Sequence, residues 1–261
     1  MKTSFNFDYI LNDQITINNT LKISNLPKDY SIKDGYIYSP IDKAPMLLVL
    51  GGPSIIGNET QCGYKDEYPA HEVYIETFLI DVYKVTVKRY KTFLDALADY
   101  GNHNFLWCNC HEPADKNHLP KDWEEQLLQP SSPVTGIDWY DAWAYTQWSQ
   151  KMLPTEAQWE KACNPQFILF PNFNKKIKKY QYSISNMLGK GWEWCLDWYK
   201  ENYYDITSRY EPCYTKKTQY KITKGSLPNN SLPVSRSSFR NRYPIDWRES
   251  MLSFRCIKRI K

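Results

Sequence analysis

The sequence predicts a mixed α+β domain with little regular secondary structure, and three observations carry that expectation. Aromatic side chains are unusually dense, with 10 Trp and 21 Tyr beside only 10 Gly in 261 residues. Trp and Tyr bury large areas, yet each needs a partner for one polar atom, which favours irregular, loop-rich packing over an idealised bundle. Hydrophobic residues make up 42% of the chain, enough for a sizeable core and too many for global disorder. Helical and strand periodicities both occur, but in short, separate runs.

Residues 1 to about 45 are polar and rich in Asn, Lys and Tyr, and read as an N-terminal extension packed on a domain of residues 46–261. Within it, Ile15-Thr16-Ile17 and Leu21-Lys22-Ile23 alternate as short strands do. A linker-like Ser39-Pro40-Ile41-Asp42-Lys43-Ala44-Pro45 ends it. Met46-Leu47-Leu48-Val49-Leu50 predicts a buried strand running into a turn at Gly51-Gly52-Pro53. From His71 to Ile80 a second strand region alternates with period two. Thr86 is placed as an N-cap, with Val87, Tyr90, Phe93, Leu94 and Leu97 at helical spacing up to about Tyr100. A polar insertion spans Gly101 to Pro133. The next helix starts near Asp138, with Asp141 at its third position and a face of Ala142, Tyr145 and Trp148. Thr155 and Gln158 have capping-box spacing for a third, short helix bounded by Pro154. Beyond residue 163 short strands and long loops are expected.

Composition removes several function classes. A net charge of +4 is too small to imply nucleic acid, and the densest basic run, Lys175 to Lys179, reads as a solvated loop. The start has no apolar segment of the secretory kind, and no stretch approaches the ~18 apolar residues of a spanning helix. Seven cysteines at irregular spacing suit reduced thiols in a cytoplasmic protein better than a disulfide framework. No nucleophile elbow, phosphate loop or dinucleotide fingerprint occurs.

Six segments, in order, carry a family resemblance. They are Asp66-Glu67-Tyr68-Pro69-Ala70-His71-Glu72-Val73; Phe78 to Thr86; Val134-Thr135-Gly136-Ile137-Asp138-Trp139 with Asp141-Ala142; Leu153-Pro154-Thr155-Glu156-Ala157-Gln158-Trp159-Glu160; Gly191-Trp192-Glu193-Trp194-Cys195-Leu196-Asp197-Trp198-Tyr199; and Arg236 to Pro244 with Phe254-Arg255-Cys256. Together they resemble the formylglycine-generating enzyme, or sulfatase-modifying factor, family across residues 46 to 258. The resemblance implies a C-type-lectin-like fold. His71 belongs to one of its strand-entry segments and reads as structural.

Enzymes of that family oxidise a substrate cysteine to formylglycine with molecular oxygen, using a copper-binding cysteine pair; soft thiolates suit Cu(I). The resemblance places one cysteine three residues after the Gly225-Ser226 turn and the other in the Arg-rich stretch. Here those positions are Asn229 and the neighbourhood of Phe239, and no cysteine lies between Cys213 and Cys256. Copper is therefore not expected, and Cys256 reads as a core thiol. The chain is then expected to be a non-catalytic recognition module or complex subunit. The alternative is an oxidase with relocated thiols, for example in the Cys108/Cys110 loop. An oxygenase partner like the lectin-like half of sulfoxide synthases would need an iron-binding helical domain that 45 N-terminal residues cannot supply.

Two metals remain to be weighed. The family often binds calcium in the loop before its Trp-Glu-Trp segment, and Asn186, Gly189, Gly191 and Glu193 stand at matching positions. Oxygen ligands of this kind suit a hard cation. Lys190 departs from the family's usual Asn, and Glu193 reads equally as a buried, hydrogen-bonded core acid. The family's second calcium loop has no counterpart in residues 164 to 183. In the insertion, His103, Cys108, Cys110, His111 and His118 are zinc ligands by type, although Cys-x-Cys differs from the usual Cys-x2–4-Cys spacing. The other reading is an ordered surface loop.

By resemblance to lectin-like binding proteins, the recognition face is residues 227 to 252. It mixes Arg236, Arg240, Arg242 and Arg248 with Phe239, Tyr243, Trp247 and Glu249. Arg with aromatic residues is the composition of interface hot spots. A protein or peptide partner is expected, with neither nucleic acid nor membrane.

Overall fold

A computed structural model describes residues 15–18, 20–23, 26–60, 62–100, 105–169, 184–227 and 235–260. Lys175 to Lys179, His103 and Asn229 lie outside them. At the N-terminal side β1 (Ile15–Asn18) and β2 (Thr20–Ile23) pair antiparallel, as their alternation predicts. β3 (Ser31–Lys33), β4 (Tyr36–Tyr38) and β5 (Pro45–Val49) follow, each antiparallel to the next. Two strands of the stretch set apart as an extension thus join the main sheet, and Ile37 and Ala44 are fully buried there.

The expected turn at Gly51-Gly52-Pro53 is instead the entry to β6 (Gly52–Ile56). Gly51 has to be glycine: a Cβ would stand 2.8 Å from the Thr77 amide nitrogen. The run from His71 to Ile80 is two strands, not one. β7 (His71–Ile75) pairs with β6 in a small sheet and keeps its alternation, Val73 and Ile75 inward, Glu72 and Tyr74 outward. β8 (Phe78–Asp81) is buried on both faces because it lies inside the main sheet, between β5 and the last strand. One straight strand could not be half-exposed and centrally placed at once, so the chain breaks at Glu76-Thr77.

Three helices start where local capping predicts. α1 (Val87–Ala98) begins after Thr86, whose hydroxyl accepts from the Arg89 amide, and buries Val87, Tyr90, Phe93 and Leu97. α2 (Trp123–Leu127) is an unanticipated helix inside the insertion; Trp123 is its one buried residue and Asp122 makes no side-chain cap. α3 (Trp139–Trp148) opens with Asp138 and Asp141 each accepting from the other's amide, at 3.1 and 2.9 Å. α4 (Glu156–Ala162) has the same reciprocal cap from Thr155 and Gln158, and every one of its residues is buried.

Beyond α4, β9 (Ile168–Leu169) adds to β5. β10 (Gly191–Trp198), β11 (Tyr220–Ser226), β12 (Asn241–Pro244) and β13 (Leu252–Ser253) form a second sheet in the order β12-β11-β10-β13, with β13 parallel to β10. β14 (Ile257–Arg259) returns to pair with β8. Strand alternation sorts the main sheet's side chains between two cores. Leu47, Val49, Phe78 and Ile80 pack with Trp159, Cys195 and Ile222. Met46, Leu48 and Leu79 join Ile37 and Ala44 on the other face. A third core gathers Tyr90, Phe93, Tyr145, Trp192, Trp194, Phe254 and Cys256. Among the described residues no helix is long and apolar enough to cross a membrane.

Buried ions tie these layers. Lys151 Nζ lies 2.6 Å from Asp42 Oδ2 and 2.9 Å from Asp81 Oδ1, and Arg89 Nη1 lies 3.1 Å from Asp81 Oδ2. Burial alone would raise the Asp42 carboxyl, but Lys151 and Arg89 outweigh it and hold it well below the usual carboxylate range. Removing one partner leaves an uncompensated interior charge. Lys151→Met is therefore expected to destabilise the fold by about 3–5 kcal/mol in urea denaturation. A loss well under ~1 kcal/mol would show that Arg89 alone compensates both carboxylates.

Candidate functional site

Gly225-Ser226, expected as a turn, is the end of β11 and pairs with the start of β10, in register Gly191↔Ser226 and Trp192↔Gly225. Gly191 (φ +87°) and Gly225 (φ +121°) both adopt backbone that side chains disfavour, and a Cβ on either would strike backbone oxygen, of Met251 and Gly191 respectively. Three chain segments therefore meet backbone to backbone at Gly191, Gly225 and Met251. Phe239, near the second copper position, packs on Trp192 and Tyr64 at 5.6 Å each. Burial pushes Cys163, Cys195, Cys213 and Cys256 up, away from the thiolate form that binds Cu(I).

The arginines of the 227–252 face divide into two kinds. Arg236 turns onto the buried carboxylate of Glu67, which also accepts from Ser238 and Asn58. Arg240 is buried and bidentate on Glu156, at 2.8 and 3.1 Å. Arg248 reaches Asp138 at 3.0 Å and Asp141 at 2.8 Å. These three, expected as contact residues, are each tied to carboxylates of the fold. Arg242 differs: its side chain is 45% exposed and lies 4.1 Å over the Tyr199 ring. Tyr199 in turn donates to Asp66 at 2.9 Å. Trp247, on the turn after β12, is 47% exposed. Tyr243 is half-buried edge-on to Trp194, and half-buried Glu249 accepts from the Ser250 amide. Tyr64, Asp66 and Tyr199 were not anticipated here; Asp66 and Tyr199 lie in the family-like segments, but nothing local links them to residue 242.

The candidate calcium loop holds cations of its own. Asn186 is left-handed (φ +57°), and the Gly189 amide donates to Ser226 Oγ at 2.7 Å. Lys84 Nζ donates to the Lys190 carbonyl at 2.6 Å and stands 3.7 Å from Glu193. The Glu193 carboxylate is fully engaged by Arg255 at 2.6 and 2.7 Å and by the Trp159 indole at 2.9 Å. An ammonium and a guanidinium thus take the carboxylate and a carbonyl that a calcium ion would require, so Asn186, Gly189, Gly191 and Glu193 do not fit that ion. Glu193 is the hydrogen-bonded core acid.

The insertion regroups its expected zinc ligands. Cys110 and His111 are exposed neighbours, Sγ to Nδ1 3.1 Å. Cys108 and His118 instead converge with Glu112, their ligand atoms all within 4.8 Å of one another. His118 Nδ1 lies 3.1 Å from Asp141 Oδ1, and Nε2 lies 3.1 Å from Glu112 Oε1. The second approach lacks hydrogen-bond alignment, so both atoms are buried without a hydrogen-bond partner. Burial would lower the His118 imidazole, but the two flanking carboxylates outweigh it and hold it above its ordinary value. Glu112 was missed because a single acid in a polar loop has no sequence signature. His71 is structural in form, its ring edge-on to Tyr204 at 4.7 Å.

With this geometry in view, the sulfatase-modifying factor enzyme 1-like domain matches residues 39–167 and 172–260. The chain is 25% identical over 240 residues to the serine/threonine-protein kinase pkn1 of Chlamydia caviae, covering 83% of this chain and 38% of that protein. It is 28% identical over 171 residues to the formylglycine-generating enzyme of Streptomyces coelicolor, covering 49% and 53%. The chain therefore spans between about a third and about half of the length of these relatives. The structure of PvdO from Pseudomonas aeruginosa superposes with a TM-score of 0.59 at 20% identity, over 88% of this chain and 100% of that one. At that identity the likeness shows the fold alone.

Two outcomes follow for the loop around Lys84. Calcium and EGTA are expected to leave the thermal midpoint of the protein unchanged; a rise of several degrees with calcium would show that a cation can displace Lys84. Burial pulls the Lys84 ammonium down to about 8 from its ordinary 10.5, with Glu193 offsetting only part of this. Between those two values the unfolded chain holds a proton that the native state has lost, so stability rises with pH across that window. Lys84→Met should flatten the rise in denaturation curves collected across it; an unchanged slope would contradict the burial effect.

Proposed function

The chain belongs to the sulfatase-modifying factor enzyme 1-like domain family, and from that premise we propose that it is a non-catalytic recognition module or complex subunit that binds a protein or peptide through the described part of its 227–252 face. One observation carries the proposal: Arg242 and Trp247 stay exposed on a segment whose other arginines are locked inward. Arg236, Arg240 and Arg248 hold that segment to Glu67, Glu156 and Asp138. A partner would meet a pre-ordered cation and aromatic pair, which lowers the entropy lost on binding. Arg and Trp are also the side chains that dominate interface energetics when a partner covers them.

The missing chemistry supports the same reading. No cysteine lies between Cys213 and Cys256, and the four buried or half-buried thiols nearest the core are held away from thiolate. The partial coverage of longer relatives also suits one module among others. None of the seven cysteines is disulfide-bonded, which suits a reducing, cytoplasmic setting.

Incubation with copper and a cysteine-containing sulfatase-type peptide should give no aldehyde by mass spectrometry; formylglycine in that peptide would overturn the non-catalytic assignment. A partner retained by the wild type should be lost more than about tenfold with Trp247→Ala, consistent with removal of one buried aromatic anchor. The same variant should keep the wild-type thermal midpoint, because Trp247 is exposed. Undiminished recovery with both Arg242→Ala and Trp247→Ala would place the binding surface elsewhere.

A further inference from the structure

We propose that Cys108, Glu112 and His118 form a binding site for a zinc-class divalent ion. The site is built by short-range and long-range order together. The Glu112 amide donates to the Asn109 carbonyl at 2.9 Å, a turn that brings Cys108 and Glu112 to one side of the loop. His118 approaches from the far end of that loop and is fixed from behind. Its Nδ1 meets Asp141, its carbonyl accepts from Tyr90 at 2.8 Å, and Phe93 packs against its ring at 6.0 Å.

Hydrogen bonding leaves Glu112 and His118 incomplete. Lys116 and Arg248 face Asp138 and Asp141, two cations against two carboxylates. Glu112, whose side chain is 0% exposed, has no Lys or Arg partner among the described residues. Its Oε1 and the Nε2 of His118 point at each other without a hydrogen bond. A cation between them would satisfy both atoms at once. A tetrahedral zinc with bonds of about 2.0–2.3 Å holds its ligand atoms roughly 3.3–3.8 Å apart, so a cluster within 4.8 Å needs only small side-chain movements.

The donor set selects the ion. One sulfur, one imidazole and one carboxylate match zinc, whereas calcium and magnesium require oxygens throughout. A single thiolate also differs from the paired sulfurs that favour Cu(I). Asp141 supplies the outer carboxylate that orients a metal-binding histidine by accepting a hydrogen bond from its other nitrogen. That carboxylate is itself fixed, since Asp141 caps α3 and pairs with Lys116 at 2.6 Å. Cys110 and His111 stand outside the cluster, so the site differs from the Cys-x-Cys arrangement that the sequence suggests.

The test titrates the metal-free full chain with Co2+ and watches for the near-ultraviolet thiolate-to-cobalt band, then repeats the binding with Zn2+ by calorimetry. One ion per chain is expected, with the band abolished by Cys108→Ser and Zn2+ affinity lowered more than about tenfold by Glu112→Gln or His118→Gln. Cys110→Ser should leave both readouts intact. Circular dichroism of each variant separates loss of a ligand from loss of fold, and half-buried Cys108→Ser is the near-isosteric case. Absence of binding by the wild type would overturn the proposal and leave His118 as an ion-paired histidine. So would binding that survives Cys108→Ser or that depends on Cys110.

Discussion

Buried carboxylates paired with buried cations are the constraint on which this structure depends. Regular elements are short, and most of the described residues from 184 onward lie outside them. A loop packs reproducibly only if something penalises its alternatives, and an unpaired interior charge does so at several kcal/mol. Glu193 with Arg255 joins β10 to the segment before β14. Glu156 with Arg240 joins α4 to the approach to β12. Asp42 and Asp81 with Lys151 and Arg89 bind the N-terminal strands to the helices. Except for Asp81 with Arg89, these pairs link segments far apart in sequence, so they exclude a large set of misfolded arrangements.

The same pairs reshape what the family resemblance implies. At the loop before Trp192-Glu193-Trp194, the protein supplies Lys84 and Arg255 where a hard ion would otherwise balance Glu193. At Gly225-Ser226 glycine backbones meet closely and Phe239 packs on Trp192, while burial pushes the Cys195 and Cys256 thiols up. The scaffold is retained and its interior is closed by the chain's own cations. What remains outward includes Arg242 stacked on Tyr199 and Trp247 after β12.

The insertion joins this scheme through one residue. Asp141 caps α3, anchors Lys116 and Arg248, and orients His118. A group that serves a helix end, an ion cluster and a histidine together is rigid by necessity, because moving it breaks all three. That rigidity is what a metal-binding imidazole needs from its surroundings.

Local chemistry was legible from the residues alone. Thr86, Asp138 with Asp141, and Thr155 with Gln158 cap their helices through partners three positions away, so spacing suffices to find them. The buried run of β5 and the burial period of α1 are visible for the same reason, as is the absence of cysteine between Cys213 and Cys256. Hidden from that reading were the break between β7 and β8, the helix α2, the inward turn of Arg236 onto Glu67 across 169 residues, and the meeting of Cys108, Glu112 and His118. Those features are chosen by which distant groups share one dry interior, since desolvation cost and charge pairing act through space and leave no periodic trace along the chain.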